Sequence, residues 1–266
     1  MSRIFSALFL LPPLVALLLY APAWAFLLFV EALALLAAGE FFQLFREQNR
    51  PFRKIGYVAT ALLVASFYPG MLGATSVLLL LALALGLAAV SRGASGPAAP
   101  ADVALTFFGT AYAGLLLGSV VGVRLAPPDP AGRAWVIFLL AIVFIGDTSA
   151  YYAGKAWGRR PLAPALSPKK TLAGLYGEVI GAVAGALGFG KFLFPDLPLL
   201  HLGLLGLSLS LLGVVGDLFE SLLKRSVGVK DAGTLIPGHG GLLDRLDSLT
   251  FSAPALLLYL RWSGRG

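Results

Sequence analysis

Residues Gly216–Ser248 read GDLFESLLKRSVGVKDAGTLIPGHGGLLDRLDS. The stretch carries five of the chain's thirteen acidic residues, four of its twenty basic residues and one of its two histidines. Apolar runs flank it on both sides, in a chain of 266 residues that is 58% hydrophobic and only 12% charged. Soluble domains carry about 25% charged residues. A dense polar island between apolar runs points to a polytopic membrane protein whose chemistry is gathered in this segment, because charge inside a membrane is costly and is kept where it functions.

Working outward, apolar runs long enough to cross about 30 Å of hydrocarbon recur along the whole length. The weak ten-residue alternation of a β-barrel is absent. The sequence predicts nine spans: Ile4–Tyr20, Trp24–Phe45, Ile55–Tyr68, Leu72–Val90, Val103–Leu125, Ala134–Ala153, Leu175–Phe194, Leu199–Leu223 and Leu249–Trp262. The N-terminal Met-Ser-Arg leads into an apolar run that is read as the first span, not as a signal peptide, because the rest of the chain is equally apolar. Pro69-Gly70, Pro127-Pro128 and the pair Pro195 and Pro198 mark turns between spans. Ser91–Pro100, SRGASGPAAP, is read as a flexible boundary between an N-terminal group of helices, residues 1–92, and a C-terminal group, residues 93–266, that carries the active-site loops 154–174 and 224–248.

The loop charges orient the chain. With the N-terminus in the cytoplasm, fifteen Lys and Arg residues fall on the cytoplasmic side and five on the other, the bias expected of cytoplasmic loops. The expected fold class is therefore all-α: a polytopic integral membrane protein of about nine transmembrane helices, N-terminus cytoplasmic and C-terminus opposite. The two richest polar loops share the cytoplasmic side. Trp24, Trp135, Trp157 and Trp262 sit near span ends, where an interfacial belt is expected.

There is no cysteine, which excludes disulfides, thiolate zinc sites and iron–sulfur clusters. Any metal must use oxygen ligands or the two histidines. A net charge of +7 suits anionic lipid or phosphorylated substrates. Nucleic acid is not expected, since no soluble basic domain is present.

Within the polar island, Asp217, Glu220, Ser221 and Lys224 fall on one helix face. Acid–base pairing at a solvated helix end is the plain alternative for Glu220 and Lys224. Asp217 follows more than a turn of apolar residues, and a carboxylate at that depth needs a partner or a metal. Gly238, Gly240 and Gly241 let backbone approach a ligand and offer N–H groups, as phosphate loops do. His239 between them is read as a ligand contact, with a turn histidine as the alternative. Asp244 and Asp247 begin the last span. They either cap it, as acids do at helix starts, or join Asp217 around a hard cation such as Mg²⁺.

A second polar segment, GDTSAYYAGKAWGRRPLAPALSPKKTLAG, opens at Gly146. Asp147 lies at the end of an apolar run, and Asp147, Tyr151 and Lys155 recur every four residues. Ser167, Lys169, Lys170 and Thr171 form a hydroxyl-flanked pair of ammonium groups suited to polyphosphate. An ordinary positive flank explains either lysine alone, but not Asp147. Glu31, Glu40 and Glu178 carry no assigned role, and His201 is read as structural.

The pattern S-L-L-K-R-x₄-K-D-x-G-x₂-I-P-G-H-G-G-L-x-D-R-x-D from Ser221 to Asp247 resembles the signature of the phosphatidate cytidylyltransferases, or CDP-diacylglycerol synthases. DTSAYYAGKAWG and SPKKT resemble the same family's second block. The family commonly continues SPKKT with Trp-Glu-Gly, whereas this chain has Leu172-Ala173-Gly174. The resemblance implies conversion of CTP and phosphatidic acid to CDP-diacylglycerol and pyrophosphate, by direct attack of the lipid phosphate on the α-phosphorus. It implies Mg²⁺, with room for a second cation, and a multi-pass enzyme of the inner (plasma) membrane with its active site facing the cytoplasm. Asp217 and Asp244 are then assigned to the metal, with Asp247 and Asp147 as further metal or neighbouring ligands. Lys169, Lys170, Lys224, Arg225, Lys230 and Arg245 are assigned to phosphates, Asp231 to the catalytic group, and His239 with its glycines to the nucleotide. Two other readings stay open. One is a CTP-dependent polyprenol or lipid kinase. The other is a transporter, which is expected to show paired broken helices that this sequence lacks. A homodimer through small residues such as Gly181 and Gly185 is a further expectation, with internal packing as its alternative.

Overall fold

The computed structural model describes residues 16–93, 98–128, 130–233 and 240–265. Residues 4–15 of the first expected span, and the segment holding Gly238 and His239, lie outside the described residues, while residues 16–20 are helical. From Ala23 on, the α-helices among the described residues are, in chain order, α1 (Ala23–Leu44), α2 (Arg53–Ala65), α3 (Ala74–Ser91), α4 (Ala98–Thr110), α5 (Leu117–Arg124), α6 (Ala131–Trp157), α7 (Leu172–Leu193), α8 (Leu199–Ser226) and α9 (Leu243–Trp262). A π-helical turn, Ala111–Leu116, joins α4 to α5 in one continuous rod. Six of these rods are long and apolar enough to cross a membrane: α1, α3, α4 with α5, α6, α7 and α8. The 13-residue α2 is only about 20 Å long. α9 has 20 residues but opens with Asp244, Arg245 and Asp247.

The helices follow their apolar stripes. On α6 the buried side chains Trp135, Phe138, Leu139, Ile142, Val143 and Gly146 keep the three-and-four spacing of one helix face. On α8 the stripe runs Leu202, Leu205, Gly206, Leu209, Gly213, Gly216 and Glu220. Glu220 thus continues a core face, which is why it is buried. α3 instead turns Leu79, Leu83, Leu87 and Val90 outward. Exposed aliphatic rows of this extent belong against lipid, since soluble surfaces rarely expose them.

α6 packs along α7, α7 along α8, and α8 along α9. Small residues allow the close approach, as is usual in membrane bundles. Gly181 abuts Ser149 and Ile145, and Gly185 abuts Ile145. These two glycines therefore serve the internal α6–α7 contact. Gly206 sits against Val183 and Ala186 of α7, and Gly216 against Asp247 and Phe251 of α9. An aromatic group from Phe41, Phe108, Tyr112 and Phe219 joins α1, α4, the π-helical turn and α8.

Among the described residues, a two-stranded departure from helix lies between α6 and α7. Pro161–Ala163 (β1) and Ser167–Thr171 (β2) form a two-stranded antiparallel hairpin, with Ala163 opposite Ser167 and Pro161 opposite Thr171. The sequence reading takes this segment as loop. The hairpin is tied down from outside: Leu172 N donates to Arg160 O at 3.0 Å, and Arg225 Nε donates to Leu166 O at 3.3 Å.

Candidate active site

The end of α6, the hairpin, the start of α7 and the polar end of α8 enclose a cavity of about 490 Å³. Its lining includes Asp147, Tyr151, Lys155, Lys169, Lys170, Thr171, Glu178, Asp217 and Ser248. The two polar segments read from the sequence thus meet in one place. Lys170 of β2 forms an ion pair with Asp217 of α8. Asp147 and Glu178 are close enough to Asp217 to repel it electrostatically, with Lys170 as the counter-charge. Thr171 points its hydroxyl inward along the chain, accepting from Gly174 N at 3.1 Å and capping α7. Ser167 begins β2.

Glu178 was unassigned from sequence, yet it is buried and lines the cavity. Gly146 makes room for it, since a Cβ there would overlap the Glu178 carboxylate. Gly146→Ala is expected to cost about 1–3 kcal/mol of stability by overpacking. A thermal melt in detergent checks this, and the double variant Gly146→Ala/Glu178→Ala should melt closer to wild type than the single.

A second polar group sits behind the first, between α8 and α9. Lys224 reaches both Glu220, whose Oε1 lies 3.4 Å from Nζ, and Asp244 Oδ1. Asp244 Oδ2 accepts from Gly241 N at 2.8 Å and Ala232 N at 3.0 Å. Asp247 faces Glu220 on one side and feels Asp217 on the other, so a chain of carboxylates links the cavity to Asp244. Gly240 adopts φ +81° beside Asp244, a left-handed backbone that favours glycine.

Burial alone would raise Asp244, but the hydrogen bonds from Lys224, Gly241 and Ala232 outweigh it and hold the carboxyl below its ordinary value. A depressed folded value means stability that is complete above the unfolded aspartate pKa of about 3.9 and is lost as pH falls through the folded one. Asp244→Asn should therefore remove an acid-labile share of stability. Melting curves of both proteins should lie apart at neutral pH and converge below about pH 4.

The other expected site residues divide. Lys169 lines the cavity. Arg225 bonds the hairpin carbonyl of Leu166 and Val229 O. Lys230 and Asp231 are exposed on the α8–α9 connection, as is Arg245 at the start of α9. Gly241 spends its amide on Asp244. Asp217 is paired with Lys170 and Asp244 with Lys224, and Asp247 interacts with both Asp217 and Glu220.

Glu40 of α1 was also unassigned. Its Oε1 accepts from Leu242 N at 2.9 Å and its Oε2 from Leu243 N at 2.7 Å. No signal local to Glu40 could have revealed this, because its partners lie about two hundred positions away.

Among the described residues, no three Asp, Glu or His side chains are gathered into a metal cage. Mg²⁺ does not require one: it is commonly held by one or two carboxylates plus substrate phosphates. The donor set here fits that pattern. It is all oxygen, and each leading carboxylate, Asp217 and Asp244, already carries an ammonium group.

Apolar rods long enough to cross a membrane, around a cavity lined by carboxylates and lysines, define a membrane protein with a charged site among its helices. The profile of the Cytidylyltransferase family matches residues 1–263, and the chain belongs to that family. It is 35% identical to a phosphatidate cytidylyltransferase of Pseudomonas aeruginosa over 100% of this chain and 98% of that protein. It is 40% identical to a phosphatidate cytidylyltransferase of Bacillus subtilis, over 50% of this chain and 49% of that protein. It is 47% identical to a protein of Escherichia coli named uncharacterized protein YnbB, over 49% of this chain and 44% of that one. Against the last two, the chain thus aligns over about half of the relative's length.

Proposed function

We propose that this chain transfers the cytidylyl group of CTP to phosphatidic acid, giving CDP-diacylglycerol and pyrophosphate. The observation that carries the reading is the Lys170–Asp217 pair in a cavity shared with Asp147, Lys169 and Lys155, in a chain of this family. A lipid-phosphate oxygen attacks the α-phosphorus of CTP, the bond from that phosphorus to the bridging oxygen breaks, and pyrophosphate leaves. Both reactants are anions, so catalysis is positioning and charge stabilisation.

Lys169, Lys170 and Lys155 receive the triphosphate, Lys170 exchanging the Asp217 carboxylate for phosphate oxygen. Lys224 stands ready to do the same from Asp244. Asp217 is the leading candidate to hold Mg²⁺, with Asp244 and Asp247 as the neighbouring carboxylates. When bound, the ion would offset charge on the phosphates and polarise the reacting phosphoryl group. No covalent nucleophile is required. Nine spans, with the N-terminus in the cytoplasm of a cell's inner membrane, would put this cavity where soluble CTP and membrane lipid meet.

The closest competing reading is a CTP-dependent lipid kinase, which would use a similar pocket but release CDP. Purified protein in detergent is expected to release pyrophosphate only with CTP, phosphatidic acid and Mg²⁺ together, and to stop when EDTA is added. Release of CDP in the presence of a lipid alcohol would move the protein to the kinase reading.

A further inference from the structure

We propose that Glu40 is a positioning residue for this reaction: it fixes the N-terminus of α9, and with it the Asp244–Lys224 pair, relative to Asp217. The inference rests on the cytidylyl-transfer reading. The first amides of a helix have no partner within it and must be satisfied from elsewhere. Here the helix begins after Leu242, whose side chain cannot cap, and α9 has no side-chain cap of its own. The amides of Leu242 and Leu243 go to the two carboxylate oxygens of Glu40, and the amide of Gly241 goes to Asp244. Three successive donors at the start of α9 are therefore taken by two carboxylates, one of them from α1.

The packing is tight on both sides of the connection. A Cβ at Gly241 would stand 2.6 Å from Glu40 Oε2, and one at Gly233 2.7 Å from Oε1. Gly233 follows Ala232, whose amide is held by Asp244. Glu40 and Asp244 thus grip the chain where it leaves the α8 side and where it enters α9. Moving Glu40 shifts the turn that carries Asp244, and Lys224 follows through its ion pair. Glu40 is not among the residues lining the cavity. Its effect passes through α9.

The test compares wild type, Glu40→Gln and Glu40→Asp in detergent, with CTP, phosphatidic acid and Mg²⁺. Gln keeps one acceptor and turns a donor toward the other amide. Its kcat/KM for CTP is expected to fall by roughly 10- to 100-fold, the scale on which small misplacement of reacting groups acts. KM for CTP should rise, KM for phosphatidic acid should stay, and Asp should recover part of the loss. A purely structural role would lower the active fraction and leave both KM values unchanged. That result overturns the proposal, as does wild-type behaviour of Glu40→Gln or an equal shift in both KM values. Should Glu40→Gln fail to fold, Glu40→Asp carries the same comparison. If wild type itself makes no CDP-diacylglycerol, the functional reading fails first, and this proposal with it.

Discussion

Asp217→Asn is expected to lower kcat by roughly 10³-fold while leaving the protein folded. A charge that stabilises a phosphoryl-transfer transition state is worth about 10²–10³ in rate on its own, and a metal ligand adds to that. Asn conserves shape and one acceptor oxygen, while it removes the charge and turns the other oxygen into an N–H donor. Asp217 sits at the open cavity wall with a side chain 31% exposed, so the substitution buries nothing and opens no cavity. Lys170, released from Asp217, still faces Asp147 and Glu178. The melting temperature should therefore stay close to wild type, which separates the chemical loss from unfolding. The metal role predicts that whatever activity is left needs a higher Mg²⁺ concentration. If Asp217 does no more than neutralise Lys170, the Mg²⁺ dependence stays that of wild type. The measurement is initial rate against Mg²⁺ for both proteins.

Lys224→Met should be the most destabilising single change in the site. The ammonium group stands between Asp244 and a Glu220 side chain that is 0% exposed. Removing one partner of a buried ion pair leaves an uncompensated charge and costs about 3–5 kcal/mol. Against a total stability of about 5–15 kcal/mol, that is a large share. The partner left uncompensated is Asp244, which the lysine ties across from α9, so Lys224→Met/Asp244→Asn should recover much of the melting temperature lost by the single variant. Turnover should stay low in both variants, because the lysine proposed to meet phosphate is absent from both. Melting curves and rates on the same samples check the two halves of this expectation. A single variant that melts like wild type would show that the pair is not holding α8 to α9.

The helices were legible because membrane solvation leaves a simple record. Each long rod from α1 to α8 coincides with an apolar run, and α9 begins about two turns earlier than the run that marks it, at Leu243 instead of Leu249, because its first turns are polar. The hairpin was not legible. Three- and five-residue strands carrying Pro and Lys show no alternation, and the hairpin is held by a bond between its own flanks, Arg160 and Leu172, and by Arg225 from far along the chain. The site was half legible. Asp147, Lys170 and Asp217 stood out because charge at the end of an apolar run needs a reason, and they share one cavity. Glu178 and Glu40 looked the same from sequence, but their roles depend on which backbone lies opposite. For Glu178 that is Gly146, and for Glu40 it is the start of α9. The structure also gave Arg225, Thr171 and Gly241 tasks within the scaffold that a list of polar residues could not separate from substrate contact.

The most direct test of the central claim follows where each phosphorus of CTP goes. Protein in detergent is supplied with phosphatidic acid, Mg²⁺ and CTP labelled at either the α- or the γ-phosphorus, and the lipid is extracted. Cytidylyl transfer predicts α-label in the lipid and γ-label in pyrophosphate. Label from the γ-position in the lipid, or none in the lipid from either position, would contradict it.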